Sequence, residues 1–396
     1  MRTARTAAGT TASETPTGSA PTHPMRDLAR AAALTDPAPD APIVWVSEPI
    51  AASAVAELSD FLVVPGYGPT AVPYARIAPI VAAVMLRSRA FPAAEVAAGT
   101  SLRIIARHGV GFDAVDIGAA AARGIPVTNT PGGNAVAVAE LTLALILAVY
   151  RRLPIAAHAT DRTPDGFEAL RGHNVQGKTL TLVGAGSIAK AVAVRALACG
   201  MRVRLAIIDS EDVDRVERIR RTAAELTEVA AALGSATAPP SRAGASPGSA
   251  TAPTVETVEA IDLDTALADT DVLSLHVPLS DRTRHLIDAA ALARLPDRAI
   301  VVNTARGGIV DDTALASAIA AGELAGAGLD CTEVEPVPTD HPLRKLPGVI
   351  VTPHIGALTA ETADIVGCQA ARQIAAVLHG GRPQHVVNAH LLPAAD

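Results

Sequence analysis

The sequence predicts an α/β protein built on a mainly parallel sheet, and three observations carry that reading. The apolar run 180–183 leads into Gly184-x-Gly186-x-x-Ala189 and then into an alanine-rich helical pattern reaching about 198. Strand, glycine turn and helix in that order suit a dinucleotide pyrophosphate. The first glycine makes the tight turn, the second admits the phosphates, and a small third residue lets the helix lie close on the sheet. The helix N-terminus adds unpaired N–H groups and a positive dipole end. The second observation is that short apolar runs alternate with helical stretches along most of the chain, which implies parallel strands joined by helices. The third is that several of these runs end in polar residues, where the ligands of open α/β sheets bind.

Taken in order, a first β/α unit opens near Pro42, with strand-like runs at 42–46, 61–64, 77–86, 102–106 and 126–128 and a helical stretch at 51–58. Residues 135–152 form a helix too apolar to face water, so it is expected between domains or in a subunit interface. After the glycine motif the run 203–208 ends at Asp209, placed to accept from a ribose hydroxyl, although it lies beyond the roughly 20 residues of the usual spacing. Residues 210–212 hold no Arg or Lys to receive a 2′-phosphate, so NAD is expected over NADP. Further strands are expected at 272–276, 299–303, 325–330 and 349–352.

Two stretches read as disordered. Residues 1–41 are rich in Thr, Ala, Pro and Ser and lack the apolar block of a secretory signal, with Met25 as an alternative start. Residues 234–255 repeat GSATAP and are almost all Pro, Gly, Ser, Ala and Thr, so they are expected as an insertion after a helix at about 211–232.

With 396 residues and 49% hydrophobic content, the chain can support two or three domains. A net charge of −7 and 2% aromatics argue against a nucleic-acid partner. No stretch reaches the ~18 apolar residues of a membrane span, so no membrane partner is expected. Three scattered cysteines build neither a disulfide framework nor a metal knuckle; a reducing, cytoplasmic setting and no metal are expected.

Three strand ends carry the chemistry. Arg306 lies in Asn303-Thr304-Ala305-Arg306-Gly307-Gly308, Glu335 in Asp330-Cys331-Thr332-Glu333-Val334-Glu335-Pro336, and His354 in Thr352-Pro353-His354-Ile355-Gly356. A guanidinium can grip a carboxylate with two hydrogen bonds, and a histidine beside a carboxylate is a proton donor near neutral pH. Such a set suits hydride transfer between NAD and a small 2-hydroxy or 2-oxo acid. Glu333, two residues from Glu335, is the competing carboxylate.

At these residues the chain resembles the D-2-hydroxyacid dehydrogenase family, nearest its phosphoglycerate dehydrogenase branch. The matching stretches are LRIIARHGVGFDAVD (102–116), GIPVTNTPGGNAVAVAELTLAL (124–145), GKTLTLVGAGSIA (177–189), DVLSLHVPL (271–279), VVNTARGGIVD (301–311), AGLDCTEVEPVPTDHPL (327–343) and VTPHIGA (351–357). The resemblance implies two Rossmann-like lobes with parallel sheets, the NAD lobe (134–356) inserted into a discontinuous substrate lobe (42–133 and 357–396). It implies that Arg306 binds the substrate carboxylate, that His354 exchanges the hydroxyl proton and that Glu335 orients His354. Cofactor contacts fall by the same resemblance on Gly184, Gly186, Ser187, Ile188, Asp209, Thr304, Ala305, Asp330 and Gly356. Substrate contacts fall on Arg87, Ser88, Arg89 and the backbone of Val110 and Gly111, with Arg107 nearby as a third cation that favours a phosphorylated substrate. His276 reads as structural, and His108 is open between the two readings.

The chain departs from the family pattern at Ser187 (often Arg), Ala114 (often Asn), Thr332 (often aromatic) and Leu358 (often a small hydroxyl residue). The implied function is an NAD-dependent oxidoreductase interconverting a D-2-hydroxy acid and its 2-oxo acid, with 3-phosphoglycerate one candidate. The alternatives are a hydroxypyruvate or glyoxylate reductase and a non-catalytic NAD-sensing binding protein. A homodimer without the regulatory domain of many phosphoglycerate dehydrogenases is expected.

Overall fold

Aliphatic and β-branched runs without polar alternation form strands buried on both faces, and two sheets are built from them. A computed structural model describes residues 24–157, 166, 168, 170–237 and 257–393. The first sheet holds β1 (Ile43–Val46), β2 (Leu62–Pro65), β3 (Val81–Leu86), β4 (Ile104–Arg107) and β5 (Val127–Thr128) in the order β2-β1-β3-β4-β5. The second holds β6 (Thr179–Val183), β7 (Arg202–Ile207), β8 (Glu259–Asp262), β9 (Val272–Leu275), β10 (Ile300–Asn303), β11 (Gly326–Leu329) and β12 (Val349–Val351) in the order β12-β11-β10-β9-β6-β7-β8. All pairings between these strands are parallel. In the second sheet the strand order reverses between β6 and β9, which opens a crevice at their carboxyl ends.

Six helices matter for the site: α1 (Pro24–Ala31), α2 (Ala52–Ala56), α3 (Ala135–Tyr150), α4 (Ser187–Ala198), α5 (Val213–Thr237) and α6 (Ala360–Leu378). The apolar helix α3 is buried as its sequence requires, with Ala139, Leu145, Ile146 and Val149 in one core with Ala189, Val192, Ala193 and Ala196 of α4. The chain then returns to the first sheet. Ala370, Ala371, Ile374 and Val377 of α6 share a core with Val44, Ala83 and Ile104. Beyond α6, Val386 bridges Thr128 at the open edge of β5. The fully buried Asn388 accepts from the Val127 N–H at 2.8 Å and donates to the Ile125 carbonyl at 3.0 Å. The first sheet therefore takes its flanking helix and its edge cover from the far end of the chain.

The structure corrects the reading of 1–41 as wholly disordered. Residues 24–41 are ordered: α1 buries Ala29, with Met25 and Leu28 against the same core. Arg26 donates to the carbonyls of Pro39 and Ala41, and the Leu34 N–H to Val63. The Arg- and Pro-rich composition hid a short amphipathic helix. Residues 1–23 lie outside the described residues. The helix expected to end near 232 runs on to Thr237, and Ile219, Ala223 and Leu226 bury its inner face in the core shared with α4. The remainder of the expected insertion, from 238, lies outside the described residues. Strand β8 was not foreseen. It is a part-exposed edge strand, and Glu259-Ala260-Ile261-Asp262 has too little apolar content to stand out.

Candidate active site

Arg306 is presented by a stapled turn. Asn303, the last residue of β10, donates from Nδ2 to the Arg306 carbonyl at 2.8 Å and accepts at Oδ1 from the Ala305 N–H at 3.1 Å. The guanidinium donates from Nη1 to the Ala305 carbonyl at 2.6 Å and from Nε to Asp113 Oδ2 at 2.9 Å, so it bridges to the first lobe. A Cβ on Gly111 would stand 1.8 Å from Arg306 Nη2, so the guanidinium lies against this glycine and would have to shift for any side chain there. Asp113 was missed in the sequence. Its carboxylate engages the same guanidinium that the family resemblance assigns to the substrate carboxylate.

The imidazole is held by the next two strands. His354 follows β12 with φ of 56°, a left-handed conformation that few non-glycine residues adopt. Its loop is fixed by Asp330, buried at the end of β11. That carboxylate accepts from the Ile355 N–H at 2.8 Å, the Gly356 N–H at 2.7 Å and the Thr352 hydroxyl at 2.7 Å. His354 Nδ1 lies 2.8 Å from Glu335 Oε2. The structure separates the two candidate carboxylates, because Glu333 is engaged elsewhere: it accepts from the Asp312 N–H at 3.2 Å and meets His285 at 3.1 Å.

Burial alone would raise the Glu335 pKa. The hydrogen bond and charge of His354, with Arg306 behind them, outweigh it and hold the carboxyl below its ordinary value. The His354 pKa is pushed up to about 10, first by the Cys331 sulfur and then by the Glu335 carboxylate beside the ring. Cys331 is a second residue that sequence reasoning missed. It is buried, and its thiol donates weakly to the Ala305 carbonyl at 3.5 Å.

On the substrate side, Arg107 is a structural brace rather than a free cation. It is 8% exposed and donates to the carbonyls of Gly111 (2.8 Å), Leu86 (2.8 Å) and Arg87. Desolvation pulls its pKa down to about 10. The brace, with Asn129 donating to the Val110 carbonyl at 2.8 Å, orients the 109–111 turn. Among the described residues, the N–H groups of Val110 and Gly111 have no acceptor within the chain.

The Arg87-Ser88-Arg89 loop is pinned by Glu48, which accepts from all three backbone N–H groups and from the Ser88 hydroxyl. Arg89 forks onto Glu95 and lies over the Trp45 ring, 5.2 Å from its centroid. The structure thus ties it inside its own lobe and not to the place expected for a substrate ligand. Among the described residues the Arg87 side chain has no hydrogen-bond or ion-pair partner. His108 is mostly buried against Gly367 of α6, and desolvation lowers its pKa. His276 meets Ser274 Oγ at 2.9 Å, and desolvation pushes its pKa down to about 3, so the ring is neutral.

The β6–α4 turn tests whether a dinucleotide fits. Gly184 has φ of 115° and a Cβ there would stand 2.6 Å from the His276 carbonyl, so no side chain can replace it. A Cβ on Gly186 would meet nothing within 4 Å, and α4 has no side-chain cap. Open space over uncapped N–H groups of Ser187 and Ile188 is what a pyrophosphate requires. Asp209 lies just beyond β7, and Arg282 donates to it at 2.5 Å. That partner, supplied by the loop after β9, is invisible at 210–212. Thr304 bonds Thr142 of α3 at 2.9 Å, Ala305 lies in the Arg306 turn, and Gly356 is bound to Asp330.

Residues 143–238 and 243–356 match the family described as D-isomer specific 2-hydroxyacid dehydrogenase, NAD binding domain. The chain belongs to that family. It is similar to a hydroxypyruvate reductase of Thermotoga maritima, 39% identical over 306 residues that cover 76% of this chain and 85% of the relative. It is also similar to a D-3-phosphoglycerate dehydrogenase of Mycobacterium tuberculosis, 37% identical over 349 residues, 88% of this chain but 59% of the relative's length. A solved protein of Thermus thermophilus superposes with a TM-score of 0.69 at 32% identity, covering 87% of this chain and 99% of that one. This D-2-hydroxyacid dehydrogenase is an NAD-dependent oxidoreductase acting on CH–OH donors. No described helix is long and apolar enough to cross a membrane.

Proposed function

We propose that the enzyme reduces a small 2-oxo acid to its D-2-hydroxy acid, and runs the reverse, with Arg306, Glu335 and His354 as the working set. The observation that carries this reading is the 2.8 Å contact of His354 with Glu335, presented beside Arg306 by neighbouring strands of one sheet. Arg306 grips the substrate carboxylate and polarises the carbonyl. The free N–H groups of Val110 and Gly111 hold the same carboxylate from the opposite lobe. His354 as imidazolium delivers its proton to the substrate oxygen in reduction, and as neutral imidazole it removes that proton in oxidation. Glu335 keeps the ring charged and oriented. Asp330 is a positioning residue, because its carboxylate ties down the loop that carries His354. NAD, when bound at Gly184, Gly186, Ser187, Ile188 and Asp209, supplies or accepts the hydride. NADH oxidation with a panel of 2-oxo acids tests the reading: turnover of at least one supports it, and NADH binding without turnover of any would leave an NAD sensor instead.

Within this class we favour a substrate with an uncharged tail, such as glyoxylate or hydroxypyruvate. Two of the three cations expected to hold a phosphate are engaged, Arg89 by Glu95 and Arg107 by backbone carbonyls. Arg87 supports the second reading, a phosphorylated substrate, because among the described residues its guanidinium has no partner. A higher kcat/KM for 3-phosphohydroxypyruvate than for hydroxypyruvate would select that second reading. A homodimer is supported by Val136 and Leu153, 57% and 53% exposed on and just after the apolar helix α3. A cytoplasmic setting is supported by three cysteines that are all free.

The pH profile follows from the pair. Since His354 is held protonated up to about pH 10, reduction should be insensitive to pH near neutrality and fall as the pH rises through that value. Oxidation should rise over the same range. Glu335→Gln removes the negative neighbour, so the limb of the reduction profile should move to lower pH. An unmoved limb would exclude Glu335 as the partner.

Cofactor choice should depend on Asp209 and Arg282 together. Asp209→Ala removes repulsion of a 2′-phosphate and frees Arg282 to meet it. The preference for NADH over NADPH should narrow by about tenfold, or about 1.4 kcal/mol. Adding Arg282→Ala should restore most of the preference; a double variant that accepts NADPH as readily as the single one would remove Arg282 from the account.

A further inference from the structure

Cys331, Glu335 and His354 place three different donor atoms together. The thiol sulfur, a carboxylate oxygen and a ring nitrogen all lie within 4.8 Å of one another. Cys331 is 1% exposed and forms the floor, while the His354 and Glu335 side chains, 48% and 37% exposed, stand at the mouth. The imidazole and the carboxylate carry the proton transfer, and the sulfur stands against the ring without itself exchanging the proton. The thiol's own hydrogen bond, 3.5 Å to the Ala305 carbonyl, is weak.

We propose that these three residues form an inhibitory site for a borderline-soft divalent cation of the zinc type, closing the enzyme when filled. The proposal rests on the catalytic reading above. Sulfur, imidazole nitrogen and one carboxylate are the donor set of Zn²⁺, whereas Mg²⁺ and Ca²⁺ take oxygen alone. Bond lengths of roughly 2.0–2.3 Å in a tetrahedron put the donors roughly 3.3–3.6 Å apart. Reaching that spacing needs small rotations of His354 and Glu335, the two side chains open to solvent. The fourth position faces the cleft and takes water or a substrate oxygen. A metal-bound imidazole must be neutral, so it has no proton to deliver, and Glu335 is drawn from orienting the ring to ligating the metal. Fixed in that way, the pair cannot support reduction.

The experiment uses the full chain with Cys199→Ser and Cys368→Ser, so that Cys331 is the remaining thiol, stripped with a chelator. Co²⁺ is titrated and the thiolate-to-cobalt absorption followed with no substrate present. Separately, NADH oxidation with glyoxylate is followed against added Zn²⁺ or Mg²⁺. The expected result is a stoichiometric cobalt–thiolate band, inhibition by Zn²⁺ that a chelator reverses, and no inhibition by equal Mg²⁺. Cys331→Ala and Cys331→Val should each lose the band. Each should also raise the inhibitory Zn²⁺ concentration, relative to its own metal-free rate, by at least the roughly 10–100-fold that even an outer partner of a metal site is worth. Absence of the band, or Zn²⁺ inhibition unchanged in both variants, overturns the proposal. An enzyme inactive on every 2-oxo acid would overturn the catalytic reading instead, and the cobalt band would still decide the metal site.

Discussion

His354→Ala is expected to lower kcat for 2-oxo acid reduction by about 100- to 10,000-fold, the usual worth of a positioned general acid, while NADH binds as in the parent. The split follows from where the residue stands. Its ring touches Glu335 and faces the cleft, and the loop that carries it is held by Asp330 through the backbone of Ile355 and Gly356 and not through the imidazole. Removing the ring therefore leaves the loop, the β6–α4 turn and the sheet intact. NADH fluorescence reads cofactor binding directly, since the single tryptophan, Trp45, is buried in the other lobe's core. Turnover within a few-fold of the parent would exclude His354 as the proton donor. Lost NADH binding would instead assign the ring to the cofactor site.

Arg306→Lys is expected to lower kcat/KM by about 100- to 1,000-fold, comparable to removing a donor aimed at developing charge. Lysine keeps the charge but loses the planar fork that meets a carboxylate with two parallel hydrogen bonds. The guanidinium is also packed closely against Gly111, so Gly111→Ala provides an independent check at the same contact. A methyl group there displaces the end of a flexible side chain rather than backbone. Its effect should therefore appear as a raised KM for the 2-oxo acid, with the melting temperature nearly unchanged. Asp113→Asn should act in the opposite sense on binding, because Asp113 competes with the substrate carboxylate for Arg306. A lysine variant that keeps the parental kcat/KM would mean that the substrate carboxylate is held elsewhere.

Much of this was legible in the chain because it rests on local rules. An apolar run, a glycine that must adopt positive φ and an uncapped helix start are consecutive in sequence, so the strand, glycine turn and helix around 184–189 could be read directly. The same holds for strands that end in Asn303, in Leu329 just before Asp330, and in Val351 just before the His354 loop. Their backbone pattern sets which residues reach the carboxyl edge of the sheet, and it does so before any packing is known. The buried helix α3 was equally plain, since sixteen residues with a single charge cannot face water. Helix α1 was not, because its apolar positions are few and its stability comes from contacts with residues far along the chain.

What the tertiary structure decided was the partner of each charged group. Glu333 and Glu335 are two residues apart and alike in chemistry, and the fold turns one toward Asp312 and His285 and the other toward His354. Arg87, Arg89 and Arg107 looked like three cations at one cleft until Glu95, Trp45 and the backbone carbonyls of Leu86 and Gly111 took two of them. Asp113 and Arg282 reach Arg306 and Asp209 across long stretches of chain, and Cys331 reaches His354 from a neighbouring strand end. The sequence by itself determined the family, through its motifs, and the two-sheet architecture, because hydrophobic periodicity and glycine geometry act between near neighbours; it also singled out Arg306, Glu335 and His354 as the candidate set. Which ions pair, and so which cations are left for a substrate, depends on distances between groups remote in sequence, and only the folded chain sets those distances.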